Sequence, residues 1–138
     1  MRVMAIDYGD TRTGVAFSDI SGTLTGETFV IKSYNPESTI EKIMELVAER
    51  NPSVVVVGYP KNMNGTIGPR AEKSEEFADL LRQKSGLKVE LRDERLTTVD
   101  AHRILSDTGR YGKKRKNTVD AVAASLILEN YLTELSNS

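Results

Sequence analysis

A chain of 138 residues suits one domain with a real core, spanning 1–138, and leaves little room for a second. The absence of Cys excludes a disulfide framework and a thiolate zinc site, and a single histidine, His102, excludes a two-His metal site. A net charge of −1 excludes a generally basic nucleic-acid coat, so any polyanion binding has to come from a local patch.

No apolar run approaches the ~18 residues of a membrane span, and the N-terminus lacks an apolar targeting core, which predicts a soluble, cytoplasmic protein with no membrane partner. The chain opens on V-M-A-I-D-Y-G-D-T-R-T-G-V-A-F-S, where the apolar runs Val3 to Ile6 and Val15 to Phe17 flank a polar turn. That pattern predicts a hairpin, with Gly9 and Asp10 at the turn and Thr11 to Thr13 extending it. Asp7 sits where the first strand gives out. It is either a carboxylate presented to a ligand, with Gly9 lacking the Cβ that would keep a phosphate or metal-bound ligand away, or an ordinary strand-end turn former. Thr23 to Lys32 continues the meander as a third strand. Asn35-Pro36 breaks the pattern, and Ser38 or Thr39 can cap a helix with Ile40, Ile43, Met44 and Val47 on one face.

Val54 to Val57 is an uninterrupted β-branched run, apolar on both faces, as in a central parallel strand. A loop from Tyr59 to Gly68 and a helix from Pro69 to Lys84 follow, then a strand over Leu87 to Leu91. Thr97 and Asp100 resemble a capping box for a helix ending near Gly109, and a final helix runs from about Val119 to Leu132. The order β-β-β-α-β-α-β-α-α, joined by right-handed crossovers, predicts an α/β fold. Its mixed five-stranded sheet combines an antiparallel meander with parallel strands, and helices cover both faces.

Open α/β sheets place their sites at the carboxyl ends of parallel strands. Asp7, the Tyr59 loop and the run Arg92-Asp93-Glu94-Arg95 all fall there. Asp120, near the start of the last helix, either complements the helix dipole or points inward along the face of Ala123, Ala124 and Ile127, where a carboxylate needs a partner. Carboxylates gathered at one sheet edge repel each other unless a cation sits among them, and oxygen ligands suit Mg²⁺ or Mn²⁺. Such a site acts on phosphodiesters without a side-chain nucleophile.

Four ordered motifs span nearly the whole chain: I-D-Y-G-x-x-R-x-G-V-A-x-S-D, V-V-G-Y-P-x-N-M-N-G-T-x-G-P-R-A, D-E-R-L-T-T and V-D-A-V-A-A-S-L-I-L. Together they resemble the YqgF family of pre-16S rRNA nuclease-like, Holliday-junction-resolvase-like proteins. The resemblance implies an RNase H-like fold and a divalent-metal phosphodiesterase, with Asp7, Glu94 and Asp120 matching the family's acidic positions as metal ligands and catalytic residues. It also implies a part in precursor 16S rRNA maturation at the 5′ end. Tyr59 stands where the family often has Leu.

Further residues suit nucleic acid. Lys61 and Asn62 lie in the Tyr59 loop at the site's edge. Arg70 and Lys73 lie at a helix start, where free N–H groups and two cations would hold a backbone phosphate. Arg95 follows Glu94, and Asp93 either shares the metal site or orients Arg95. Arg110, Lys113, Lys114, Arg115 and Lys116 form a basic loop just before Asp120, fit to grip a polyanion without reading its sequence. Asp10, Asp19 and Asp100 are expected to be turn or cap residues. The alternatives are a four-way-junction DNA endonuclease, a catalytically silent nucleic-acid-binding factor, and a kinase of the actin-like superfamily. The last needs two lobes and an adenosine site, for which this chain is short.

Overall fold

The computed structural model describes residues 1–22, 24–33, 35–59, 68–93 and 112–136, with the backbone alone at Asp93, at 112–121 and at Ser136. Five strands form one sheet: β1 (Val3–Asp7), β2 (Arg12–Ser18), β3 (Thr25–Lys32), β4 (Val54–Tyr59) and β5 (Lys88–Asp93). Their spatial order is β3-β2-β1-β4-β5, with β1 antiparallel to β2, β2 antiparallel to β3, and β1, β4 and β5 parallel. This is the mixed sheet expected, with the meander on one side of β1 and the two crossover strands on the other. The helix anticipated between Thr97 and Gly109 lies outside the described residues.

The helices α1 (Pro36–Arg50), α2 (Pro69–Ser85) and α3 (Gly112–Ser136) divide between the two faces. Strand alternation makes the division. Met4, Ile6, Val15, Phe17, Val55 and Val57 pack with Ile40 and Ile43 of α1 and Phe77 and Leu81 of α2. The opposite positions, Val3, Ala5, Ala16, Val54 and Val56, pack with Ala124, Ile127, Leu128, Tyr131 and Leu132 of α3.

Helix starts depart from expectation in two places. Asn35 and Pro36 begin α1 instead of breaking it: the Asn35 side chain accepts from the Ser38 N–H at 2.7 Å, and Pro36 takes an opening position where its missing N–H costs nothing. Thr39 is buried, and its hydroxyl donates to the Asn35 carbonyl. The basic run is the second case. Lys113, Lys114, Arg115 and Lys116 belong to the opening turns of α3 and not to a loop, because Lys and Arg are good helix formers contiguous with the pattern that follows. Asp120 is therefore in the third turn of its helix, beyond the reach of the helix-dipole argument.

Candidate active site at the carboxyl edge of the sheet

Asp7 is the last residue of β1 and is only 7 % exposed. It alternates with Val3 and Ala5, so it shares the face that α3 covers. On β2 its partner across the ladder is Gly14. On β4 the register sets Ile6 beside Val57, which carries Gly58 to the position next to Asp7. A buried carboxylate thus has a residue without a Cβ on each neighbouring strand, a place where backbone or ligand can come close. Arg92 sits across from Gly58 on β5, pairs with Glu134 of α3, and lies over the Tyr131 ring at 5.7 Å.

Gly9 has a different explanation from the one its motif invites. A Cβ there would stand 2.3 Å from the Arg12 carbonyl oxygen, so the chain's own turn occupies the space that a ligand was expected to use. The Gly9 N–H also donates to the Thr13 hydroxyl at 3.4 Å. Tyr8 turns to the other face and stacks on Phe77, with centroids 4.2 Å apart and planes at 14°. Burial, then the nearby Asp10 and Glu76 carboxylates, raises its pKa above the ordinary tyrosine value. Asp7 is thereby held at a turn locked from both sides.

Around that turn gather Arg70 and Lys73 of α2, both exposed, which line a small recess with Tyr8, Gly9 and Asp10. Arg70 is in the first turn of α2 and Lys73 begins the second. Gly68 provides no side-chain cap for the opening N–H groups of α2, the kind of helix start that suits an anion. Lys73 is engaged, its Nζ 3.1 Å from Asp10 Oδ1, which makes Asp10 an ion-pair partner and not only a turn former. Asp19 does act in a turn, where its side chain accepts from Ser21. Tyr59 closes β4 and donates its hydroxyl to Glu75 of α2 at 2.5 Å, which pushes its pKa up to about 12.

The remaining candidates fall as follows. Glu94 directly follows the last residue of β5 and, with Lys61, Asn62, Arg95 and Arg110, lies outside the described residues. Position 120 precedes Ala124 by one helical turn, and its side chain is outside them too. Asp93 pairs in register with Tyr59. The structure therefore sets Arg70 and Lys73 of α2 beside the Tyr8–Asp10 turn that follows Asp7, while Asp7 itself lies on the α3 face; register adds Gly14 and Gly58 beside Asp7, and Arg92 across from Gly58. Only strand register makes those three neighbours.

A five-stranded sheet of this order, with the acid at the end of its central strand and helices on both faces, is an RNase H-like fold. A solved structure of this class, "T. thermophilus RuvC in complex with Holliday junction substrate", superposes with a TM-score of 0.64 over 100 % of this chain and 97 % of that one, at 14 % identity. The fowlpox virus resolvase with its Holliday junction DNA gives 0.55 at 16 % identity, over 98 % and 99 % of the two chains. The family model RuvX, described as "Holliday junction resolvase", matches residues 1–134. A relative from Halothermothrix orenii, named "Putative pre-16S rRNA nuclease", is 46 % identical over 133 residues, covering 96 % of this chain and 94 % of its own. This chain belongs to the RuvX family.

Proposed function

We propose that the chain is a divalent-metal-dependent endonuclease of the cytoplasm, acting as a single domain over 1–138 on structured RNA in maturation of the 5′ end of precursor 16S rRNA. The observation that carries this reading is Asp7: a buried carboxylate at the carboxyl edge, with glycine on each neighbouring strand, in a chain of the RuvX family. No helix among the described residues is long and apolar enough to cross a membrane.

Asp7, Glu94 and Asp120 would hold Mg²⁺ or Mn²⁺, ions that favour carboxylate oxygens and keep several waters. Asp7 supplies a donor of that kind, and the two glycines leave room beside it for a ligand larger than a proton. When bound, the ion would activate water and stabilise the leaving oxygen of the phosphodiester. Asp7 fixes the position of the reacting edge because β1 is hydrogen-bonded on both sides. Arg70 and the opening N–H groups of α2 hold a flanking phosphate, with Lys73 joining when Asp10 releases it. Lys61, Asn62, Arg95 and Arg110 extend that contact, and Lys113, Lys114, Arg115 and Lys116 steer the polyanion to the site. Replacing those last four with Ala should flatten the salt slope of binding by about one unit per lost phosphate contact.

The testing experiment sets labelled precursor rRNA beside a four-way DNA junction, with Mg²⁺, with Mn²⁺ and with EDTA. Cleavage of the RNA that EDTA abolishes is expected. Cleavage undiminished in EDTA would remove the metal site, and cleavage of the junction alone would favour the second reading, a Holliday junction resolvase, which the description of the family model supports. Binding of either substrate with no cleavage would point to a catalytically silent factor.

A further inference from the structure

The face of the sheet opposite Asp7 carries a trough between α1 and α2. Two cavities of about 470 and 400 Å³ run along it and share Leu80. Its floor is apolar, with Phe77 and Leu80 from α2 and Ile40 and Met44 from α1. Its rim is charged and unbalanced. Lys73 is already engaged by Asp10, which leaves Glu37, Glu41 and Glu76 against Lys84 among the described lining residues. A phosphate backbone would meet net repulsion here, while a cationic partner would be drawn in.

We infer that this trough docks an amphipathic helix of a protein partner, one whose apolar stripe is flanked by Lys or Arg. From Lys73 to Lys84 the α2 wall rises through eleven residue steps, or about 16 Å at 1.5 Å per residue, which is the length of three helical turns. Three turns present anchors at i, i+3 or i+4, and i+7, the spacing by which a helix fills an apolar groove. Met44 gives the floor a flexible, polarisable side chain that adapts to the occupant. The acidic rim then pairs with the basic flanks and sets their orientation. The trough adjoins the phosphate recess only at its Tyr8, Asp10 and Lys73 end, so a partner seated between Ile40, Met44 and Leu80 leaves Arg70 to the nucleic acid.

The test is fluorescence anisotropy of labelled three-turn peptides against the full chain. One peptide carries Leu at the anchor spacing with Lys flanks, the second scrambles the same composition, and the third has Glu flanks. The patterned Lys peptide is expected to bind at least tenfold tighter than either control. The double variant Glu37→Lys/Glu41→Lys should lose at least tenfold for that peptide, and amide shifts on binding should fall at Ile40, Met44 and Leu80. If the variant does not fold, the three-peptide comparison and the shift map on the wild type still decide. Equal binding of patterned and scrambled peptides, or shifts elsewhere, would overturn the inference. So would a single-stranded RNA oligonucleotide, and not the peptide, losing affinity in Leu80→Glu, because the trough would then belong to nucleic acid.

Discussion

The two faces of the sheet are built from different side chains. The α1 and α2 face is bulky: Met4, Ile6, Phe17, Ile43, Phe77 and Leu81 are among the largest fully buried side chains, and it finishes in the Tyr8–Phe77 stack. The α3 face is thinner, with Ala5, Ala16 and Ala124 at its centre and Gly14 and Gly58 beside Asp7. Large apolar side chains stabilise in proportion to the area they remove from water, at about 25 cal/mol per Å². Small ones let a helix and a strand approach closely, but contribute less. The bulky face therefore holds the fold, and the thin face holds a buried carboxylate flanked by a residue without a Cβ on each neighbouring strand. Each face also sets a partly buried tyrosine hydroxyl against a glutamate, Tyr59 on Glu75 at 2.5 Å and Tyr131 on Glu90 at 2.7 Å, which allows the two environments to be compared with one probe.

The largest effect should come from the bulky face. Phe77→Ala removes a ring that is 2 % exposed and stacked on Tyr8, and is expected to cost about 3–5 kcal/mol by denaturant unfolding. Cleavage per folded molecule should fall far less. If Phe77→Ala instead abolished cleavage in the folded state, the division of labour between the faces would be wrong.

Next comes the acid on the thin face. If Asp7, Glu94 and Asp120 face one another, the metal-free protein holds like charges together, so Asp7→Asn should melt at or above the wild-type temperature in EDTA. Wild type should gain RT ln(1 + [L]/Kd) with Mg²⁺, roughly 2.7 kcal/mol at a hundredfold excess over Kd, and the variant much less. Cleavage should be lost. Thermal melts of both proteins in EDTA and in Mg²⁺ are the measurement. A variant that melts lower and responds to Mg²⁺ like wild type would make Asp7 a turn residue and nothing more.

Smaller effects are expected at the glycines. Gly14→Ala and Gly58→Ala gain strand propensity, and their stability should stay within about 1 kcal/mol of wild type. Their cleavage rates should drop further than that change explains, because each methyl enters the space beside Asp7. Circular dichroism and cleavage assays on the same samples separate the two, and equal, small changes in both would mean that the glycines serve only the approach of α3.

The smallest effect concerns the tyrosine pair. Tyr59 is raised to about 12 first by its bond to Glu75 and then by burial, whereas Tyr131 is raised to about 12 first by burial and then by its bond to Glu90. A folded pKa above the unfolded value of about 10 means stability that is fully present below pH ~10 and is lost as pH rises through about 12. Absorbance titration of phenolate should show Glu75→Gln lowering the Tyr59 value more than Glu90→Gln lowers that of Tyr131. The opposite ranking would reverse the assigned causes.

Local pattern carried much of this architecture. The β-branched run at Val54 to Val57 announced a buried parallel strand, and the paired apolar runs around Gly9 announced the hairpin, since both signals lie within a few residues of one another. The motif set around Asp7, Gly58, Glu94 and Asp120 was enough to suggest the family. Tertiary structure decided what depends on residues far apart. Strand register made Gly14 and Gly58 the neighbours of Asp7, and a one-residue slip would have replaced them with side chains. The fold paired Lys73 with Asp10 across 63 residues of chain, and the turn itself filled the space beside Gly9. Helix starts fell between these cases: Asn35-Pro36 read as a breaker with the cap at Ser38 or Thr39, whereas the helix begins on Pro36 with Asn35 as its cap. Periodicity and turn chemistry act over a few residues and leave a mark in the sequence. Register, ion pairing across the chain and the space around a carboxylate arise only when separate segments meet.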